Sequence, residues 1–401
     1  MPEQEQEPEL EQGQEGVSVT TRHGMHREAL FTAALIGVRL IVLVLFLAEI
    51  RRGNFGGPDV VRFRELAHMG GTPWRDYPVE YAPLEFLLIK GLFGVGLLGA
   101  AARLAVLASV ADLATWAAVR AGWGRRAGLF YLAIGLPVVA LELGRIDMVP
   151  AAVAMWAFVL ARRARPLAAG AALGIAVLMK VWPLVVLPGL WLRGRTRSLW
   201  SFAVVAATGV LGWIAWGGFG APLQVLTFRG AQGWEAGSTV GSLVWVIGGG
   251  SVREEAGAAR VGIAPGWAKI LLAVVLISVL VCLWRRAASQ AADLAGEPAL
   301  TAVAALLLLS PLFSAQYVMW LLPWAAVAAL EDERPWVPLA GTTIICAASG
   351  VIGALLYNGA DTVLKIASLT RAVVLAVLVV RGLTRGRPSA ARVTPGLTTA
   401  G

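Results

Sequence analysis

The chain has 401 residues, of which 58% are hydrophobic and only 15% charged, with a mean hydropathy of +0.71. Soluble domains run at roughly 45–50% apolar and about 25% charged, so the composition excludes an ordinary soluble enzyme. That much apolar surface also excludes disorder for the bulk of the chain. The net charge of +9 does not point to nucleic acid, because the arginines lie in short loops between apolar runs, where the positive-inside rule places them.

Residues 1–28 are polar, with six glutamates before residue 16 interleaved with glutamine, and read as a disordered acidic tail. They lack the short apolar stretch and cleavage site of a secretory signal peptide, so the first apolar run, 29–50, is expected to stay as a signal anchor. Further apolar runs follow at 100–120, 127–142, 148–161, 166–179, 183–193, 198–218, 265–284, 298–314, 317–330, 336–357 and 362–381. The run 84–99 reads as a short helix that lies at the surface or dips in. A span needs about 20 apolar residues, fewer where it is partly re-entrant, which gives an all-α polytopic integral membrane protein with about 11–13 transmembrane helices. The transmembrane body is 29–381, and 382–401 is a disordered basic tail.

Arginine stops orient the stack. Arg120, Arg125 and Arg126, then Arg162, Arg163 and Arg165, Arg193, Arg195 and Arg197, Arg285 and Arg286, and Arg381, Arg385 and Arg387 all fall on one side. The rule makes that side the cytoplasm, with both termini inside, in a multi-pass plasma-membrane protein. The opposite side receives two long loops, 51–83 and 219–264, and collects mixed acids, amides and bases, which suggests an active or binding surface on the outer face.

Five polar stretches lie there. In the first loop, Asp59 is followed by Asp76, Tyr77, Glu80 and Tyr81, with Pro78 and Pro83 stiffening the chain. An acid held at the surface can act as a general base on a sugar hydroxyl; the alternative is a solvated loop whose acids balance Arg62, Arg64 and Arg75. Arg145 and Asp147 stand at the mouth of two spans, as an active pair or an ordinary boundary pair. Lys180 between two short apolar runs can bind phosphate as a point charge or simply snorkel. Arg229, Gln232 and Glu235 are spaced so that on a helix they share a face. Gln316 and Tyr317 sit at a span boundary, where an aromatic belt is the alternative. Arg39, Arg103 and Asp112 lie inside apolar sequence; buried charges are costly in a bilayer, and contacts between helices are the favoured reading. Cys282 and Cys346 read as core residues, and the three histidines offer no zinc set.

Taken in order, these stretches resemble glycosyltransferase family 87. Asp59 with Phe63 matches its first-loop acid and aromatic. Gly71, Pro73, Trp74, Asp76, Glu80, Tyr81 and Pro83 match its G-x-P-Y-x-D-x-x-x-E-Y-P-P-like run, and Gly144, Arg145 and Asp147 its next motif. Gly174, Lys180 and Pro183 follow, then Arg229, Gly230, Gln232, Glu235 and Ser238, then Ser314, Gln316, Tyr317, Trp320 and Pro323. The resemblance covers roughly residues 30–330, with Ala82 and Ala315 where proline is usual. It implies a membrane enzyme of the class C glycosyltransferase fold that uses a polyprenyl-phosphate sugar. Mannose, another hexose or arabinofuranose would pass, with inversion, to an envelope glycolipid or glycan.

On that resemblance Asp59 is the catalytic base. Arg145, Lys180 and Arg229 are candidate ligands of the donor phosphate. Asp76, Glu80, Tyr81, Asp147, Gln232, Glu235, Gln316 and Tyr317 are candidate sugar and acceptor ligands. No metal or other cofactor is expected, since basic side chains can neutralise a monophosphate, and membrane lipid is a further partner. A flippase or a non-catalytic polyprenyl-lipid-binding subunit is the alternative; crowding of the polar residues on one face, without an internal repeat of the transporter kind, favours the enzyme.

Overall fold

The structure, a computed structural model, describes residues 11–385 except 55–56, 95, 193–195, 228–230, 249–250, 256, 291–292 and 356–360, with backbone alone for 11–26. In chain order the helices are α1 (Glu11–Arg51), α2 (Pro58–His68), α3 (Pro83–Phe93), α4 (Leu97–Trp123), α5 (Arg125–Ile134), α6 (Val139–Glu142), α7 (Met148–Arg162), α8 (Pro166–Met179), α9 (Pro188–Trp191), α10 (Thr196–Gly217) and α11 (Gly220–Leu226). Strand β1 (Trp234–Glu235), α12 (Thr239–Gly248), β2 (Arg253–Glu255) and β3 (Ala258–Val261) follow, then α13 (Gly266–Ala288), α14 (Glu297–Leu309), α15 (Leu322–Glu331), α16 (Trp336–Leu355) and α17 (Asp361–Thr384). Backbone helix thus begins at Glu11, inside the stretch expected as a disordered tail.

Among the described residues six helices are long and apolar enough to cross a membrane: Arg27–Arg51 of α1, α4, α10, α13, α16 and α17. Five shorter apolar segments lie at 148–162, 166–179, 182–191, 239–248 and 297–309. Three expected spans are broken. The run 127–142 divides at Gly135 and Pro137 into α5, a 3-10 turn over Leu136–Val138 and α6. The run 183–193 becomes a 3-10 segment, Trp182–Val186, and α9. The run 317–330 becomes a 3-10 segment, Ala315–Trp320, and α15. Each break carries a proline, which removes a backbone donor and clashes with the preceding turn. Irregular backbone at membrane depth is tolerated only where it is buried in protein or lines a cavity, so these breaks mark where to look for a site.

The helices converge on one large core built from α4, α5, α7, α8, α14, α15, α16 and α17. It is rich in alanine, and Phe158 packs edge-on against Trp324 at 5.0 Å. Small residues let backbones approach closely, the usual means of helix association in lipid. In α8, a side chain at Gly170 would put its Cβ 2.0 Å from the Ser198 carbonyl oxygen of α10, and one at Gly174 would meet Val205 at 2.9 Å. Inside the bundle Arg39 of α1 pairs with Asp112 of α4 at 2.7 Å, and Tyr131 of α5 donates to the same carboxylate at 2.5 Å. For Arg39 and Asp112 the expected helix-to-helix contact is present, whereas Arg103 is exposed on α4.

The fold is all-α, as expected, with one small addition. The second long loop folds into a small antiparallel sheet of order β1-β3-β2, in which Glu235 faces Arg260 and Arg253 also faces Arg260. The β2–β3 turn uses Gly257 at φ 71°, a conformation glycine adopts without strain. Gln232 and Glu235 therefore do not share a helix face. Gly233 has no room for a side chain, since its Cβ would lie 2.8 Å from that of Arg260.

Replacing Gly170 by valine is expected to cost at least about 1–3 kcal/mol, because the clash is with rigid backbone. Gly212→Ala, with nothing within 4 Å of the added carbon, should leave stability unchanged or slightly raised. Thermal midpoints of the purified variants in detergent check both.

Candidate active site

Two adjoining cavities gather most of the expected residues. The first encloses about 370 Å³, and its polar wall includes Asp59, Glu80, Tyr81, Glu85, Asp147, Lys180, Arg260, Gln316, Tyr317 and Trp320. The second encloses about 530 Å³, and its polar wall includes Arg145, Glu235, Trp245, Ser314, Gln316 and Ser368. Both volumes suit small-molecule ligands, for which roughly 300–1,000 Å³ is usual. Asp59, Gly257, Ala258, Ser314 and Gln316 line both cavities, so the two chambers meet there.

Lys180 is the centre of the first cavity. It follows α8 in extended conformation, φ −154° and ψ 135°, which turns its side chain off the helix. Its Nζ lies 2.7 Å from Asp147 Oδ1 and 3.5 Å from Glu85 Oε1. Asp147 also accepts from Trp320 Nε1 at 3.1 Å. The ammonium sits 5.2 Å from the Tyr317 ring and 5.7 Å from the Trp320 ring, and Trp182, Trp320 and Tyr317 form a stack. Tyr317 is therefore part of the cavity wall and not of a lipid-facing belt. Burial works against the lysine's charge, but Asp147 and Glu85 outweigh it and hold the ammonium well above its ordinary pKa. Burial pushes the Glu85 carboxyl up to about 7, with Lys180 working the other way.

Asp59 stands in the first turn of α2, just after Pro58 and the positive-φ Gly57. A helix start favours a carboxylate, and Arg145 pairs with Asp59 Oδ2 from the loop before α7. Arg145 lines the second cavity, not the first. Glu80 receives a forked pair of bonds from Arg62, at 3.0 and 3.1 Å, the two-point geometry that arginine offers a carboxylate. Glu235, buried in β1, accepts the Phe313 backbone N–H at 2.8 Å. Burial raises its pKa, while Arg371 and that N–H oppose the rise.

Not every expected residue comes together. Asp76 accepts the Thr72 N–H at 2.6 Å and closes a turn outside both cavities. Gly71, at φ 91°, is pressed against it: a Cβ there would lie 2.9 Å from Asp76 Oδ2. The same run seats Trp74, which packs among Phe86, Trp213 and Trp216. That part of the motif shapes the loop. Gln232 is exposed and lines neither cavity; its backbone N–H donates to Glu255 at 2.5 Å. Arg229 lies outside the described residues.

Three charged residues escaped the sequence patterns. Glu85 looked like an ordinary acid in the first turn of a helix. Arg260 lay in an apparent loop. Arg371, fully buried in α17, carried a usable signal, a charge inside an apolar run.

A multi-helix membrane protein whose broken helices line paired, charge-bearing cavities has the form of one that binds a ligand within its helix bundle. Residues 80–314 match the model of glycosyltransferase family 87, and the chain belongs to that family of membrane glycosyltransferases. The chain is also similar to two solved structures of ArnT from Cupriavidus metallidurans. The apo form shares 17% identity over 90% of this chain and 78% of that one, with a TM-score of 0.44. The form bound to undecaprenyl phosphate shares 16% over 88% and 77%, with a TM-score of 0.43. No curated protein matches the chain.

Lys180→Met should destabilise the protein by about 3–5 kcal/mol, because it leaves buried carboxylates without their cation. A raised acid pKa in the fold means that stability is full below the ordinary carboxylate pKa and is lost as pH rises. For Glu85 the loss should run from about 4.5 to about 7. Glu85→Gln should flatten that stretch of the curve of thermal midpoint against pH.

Proposed function

We propose that the protein transfers a sugar from a polyprenyl-phosphate donor to an envelope glycolipid or glycan acceptor, on the outer face of the plasma membrane and with inversion. The observation that carries this reading is the meeting of two cavities at Asp59 and Gln316. One chamber suits a lipid phosphate. It holds Lys180 and has an apolar wall of Leu184, Val185, Val225, Leu226, Leu306 and Leu307. Leu184 and Leu226 are 46% and 58% exposed, so the apolar wall runs out to the lipid-facing surface, where a prenyl chain would lie. The other chamber, with Arg145, Glu235, Ser314, Gln316 and Ser368 on its wall, suits the hydroxyls of an acceptor.

In this mechanism the acceptor hydroxyl lies against Asp59, which removes its proton as the oxygen attacks the anomeric carbon. The bond from that carbon to the phosphate oxygen breaks, and polyprenyl phosphate leaves with the electron pair. One base and one displacement give inversion. Arg145 orients the base. Lys180 meets the charge that develops on the leaving phosphate, a preorganised cation of the kind that lowers such barriers most. Its carboxylate partners Asp147 and Glu85 fix its position, and Glu80, Tyr81, Gln316 and Tyr317 contact sugar hydroxyls. The donor sugar in this reading is mannose, another hexose or arabinofuranose. The scheme needs no metal, because the donor carries a monophosphate.

The test uses purified protein in lipid nanodiscs with a panel of polyprenyl-phosphate sugars and crude acceptor lipid, and follows release of polyprenyl phosphate by mass spectrometry. One donor should turn over, and Asp59→Asn should slow it by about 10²–10⁴, the usual worth of a general base, with donor binding retained. Donor binding without release for every sugar would favour the flippase or binding-subunit reading instead. Full turnover in the variant would remove Asp59 from the base role.

A further inference from the structure

A third cavity lies at the other end of the bundle from the two chambers. It encloses about 350 Å³ between α1, α4 and α5, with Trp116, Arg120 and Arg125 on one wall and Glu28, Ala33 and Ile36 of α1 on the other. The Arg162 guanidinium lies 5.0 Å from the Trp123 ring at the end of α4, so this is the end where the arginine stops gather. Glu28 stands in the first turn of the span Arg27–Arg51, and Arg120 in the last turn of α4. The cavity therefore sits where two spans leave the bilayer, at the depth of the lipid headgroups.

Its cations are placed, and are not merely stops. The Arg120 guanidinium lies 5.4 Å from the ring of Trp116, four residues earlier and so on the same helix face. Trp116 is itself pressed against α5, since a Cβ at Gly128 would lie 3.0 Å from its Nε1. Gly124, at φ 90°, joins α4 to α5, and Arg125, the first residue of α5, comes to the same cavity. Arg162, Arg381 and Arg385 at this end pair with acids; among the described residues Arg120 and Arg125 do not. The cavity wall thus carries two positive charges and one negative, Glu28.

That wall fits a ligand with one net negative charge, a phosphate for the arginines and hydroxyls for the Glu28 carboxylate. Ala33 and Ile36, three apart on one face of α1, give an apolar track on which an acyl chain can leave toward the lipid. Basic pockets between spans are suited to anionic lipid headgroups. A choline or ethanolamine headgroup brings its own cation and leaves the charge of the wall unmatched. We infer that this cavity binds an anionic glycerophospholipid of the phosphatidylglycerol type, with its phosphate on Arg120 and Arg125. The site is separate from the two chambers and does not depend on the reaction proposed above.

Native mass spectrometry of the full-length protein in detergent tests it, with phosphatidylglycerol, phosphatidylethanolamine and phosphatidylcholine of identical chains titrated in turn. The wild type should bind one phosphatidylglycerol in preference to the other two. Arg120→Gln and Arg125→Gln should each lose about fivefold of that preference, the worth of one arginine near a charged lipid surface, and the double variant more. Ala33→Leu, which narrows the apolar track without changing charge, should weaken the same binding event. Arg163→Gln combined with Arg165→Gln removes two charges from the same end but from outside this cavity, and should keep the preference. Melting curves report folding, and if the double cavity variant does not fold the two single variants carry the comparison. Three results would overturn the proposal: no preference in the wild type, a preference lost equally in the Arg163 and Arg165 control, or one unchanged in folded cavity variants. Binding of lipid-free glycerophosphoglycerol as tightly as the lipid would also overturn it, by assigning the cavity to a soluble phosphate.

Discussion

A lysine ammonium held between two carboxylates inside a membrane protein is the constraint on which the site depends. An isolated charge in so dry a place is too costly to keep, so Lys180 must draw Asp147 and Glu85 to itself. Asp147 comes from the start of α7 and Glu85 from α3, elements far apart in sequence. The contact therefore fixes α3 and the first long loop over the helix bundle. It also requires α8 to end at Lys180, since the side chain reaches its partners only from extended backbone. The Trp182–Trp320–Tyr317 stack sits against the ammonium and the wall of the first cavity is then complete.

The broken helices follow from the same demand. A continuous helix would carry side chains at regular turns and satisfy its own backbone, leaving no polar surface at depth. Prolines 137, 183 and 323 interrupt the runs, and the resulting turns present Trp182, Gln316, Tyr317 and Trp320 to the chambers. At the other end α7 and α17 finish in arginines that pair with acids: Arg162 with Asp293, and Arg381 and Arg385 with Asp332. α7 thus carries Asp147 at one end and Arg162 at the other, which puts site and arginine stops at opposite ends of the bundle.

Much of this was legible in the sequence because a bilayer leaves few places for polar residues. Asp59, Glu80, Arg145, Asp147, Lys180 and Gln316 stood out against apolar surroundings, and the structure brings them to the cavity walls. Spacing along the chain does not separate a ligand from a turn former, which is why Asp76 looked like a site residue: its partner is the Thr72 backbone N–H four residues away. The reverse error hid Glu85, an unremarkable acid until Lys180, 95 residues on, is folded against it. The three-stranded sheet was invisible because strands of two to four residues carry no readable period, and Arg260 was lost with it. The proline breaks were readable in principle, but apolar length masked them.

In the proposed mechanism the lipid phosphate lies at Lys180 and the reacting sugar carbon faces Asp59. The most direct measurement is a cryo-EM structure of the protein in a nanodisc with an unhydrolysed polyprenyl-phosphate sugar. Phosphate oxygens are expected within about 2.7–3.0 Å of Lys180 Nζ, with the prenyl chain along Leu184 and Leu226 and the anomeric carbon turned to the Asp59 junction. Donor seated in the second cavity, or its phosphate beyond reach of Lys180, would contradict it.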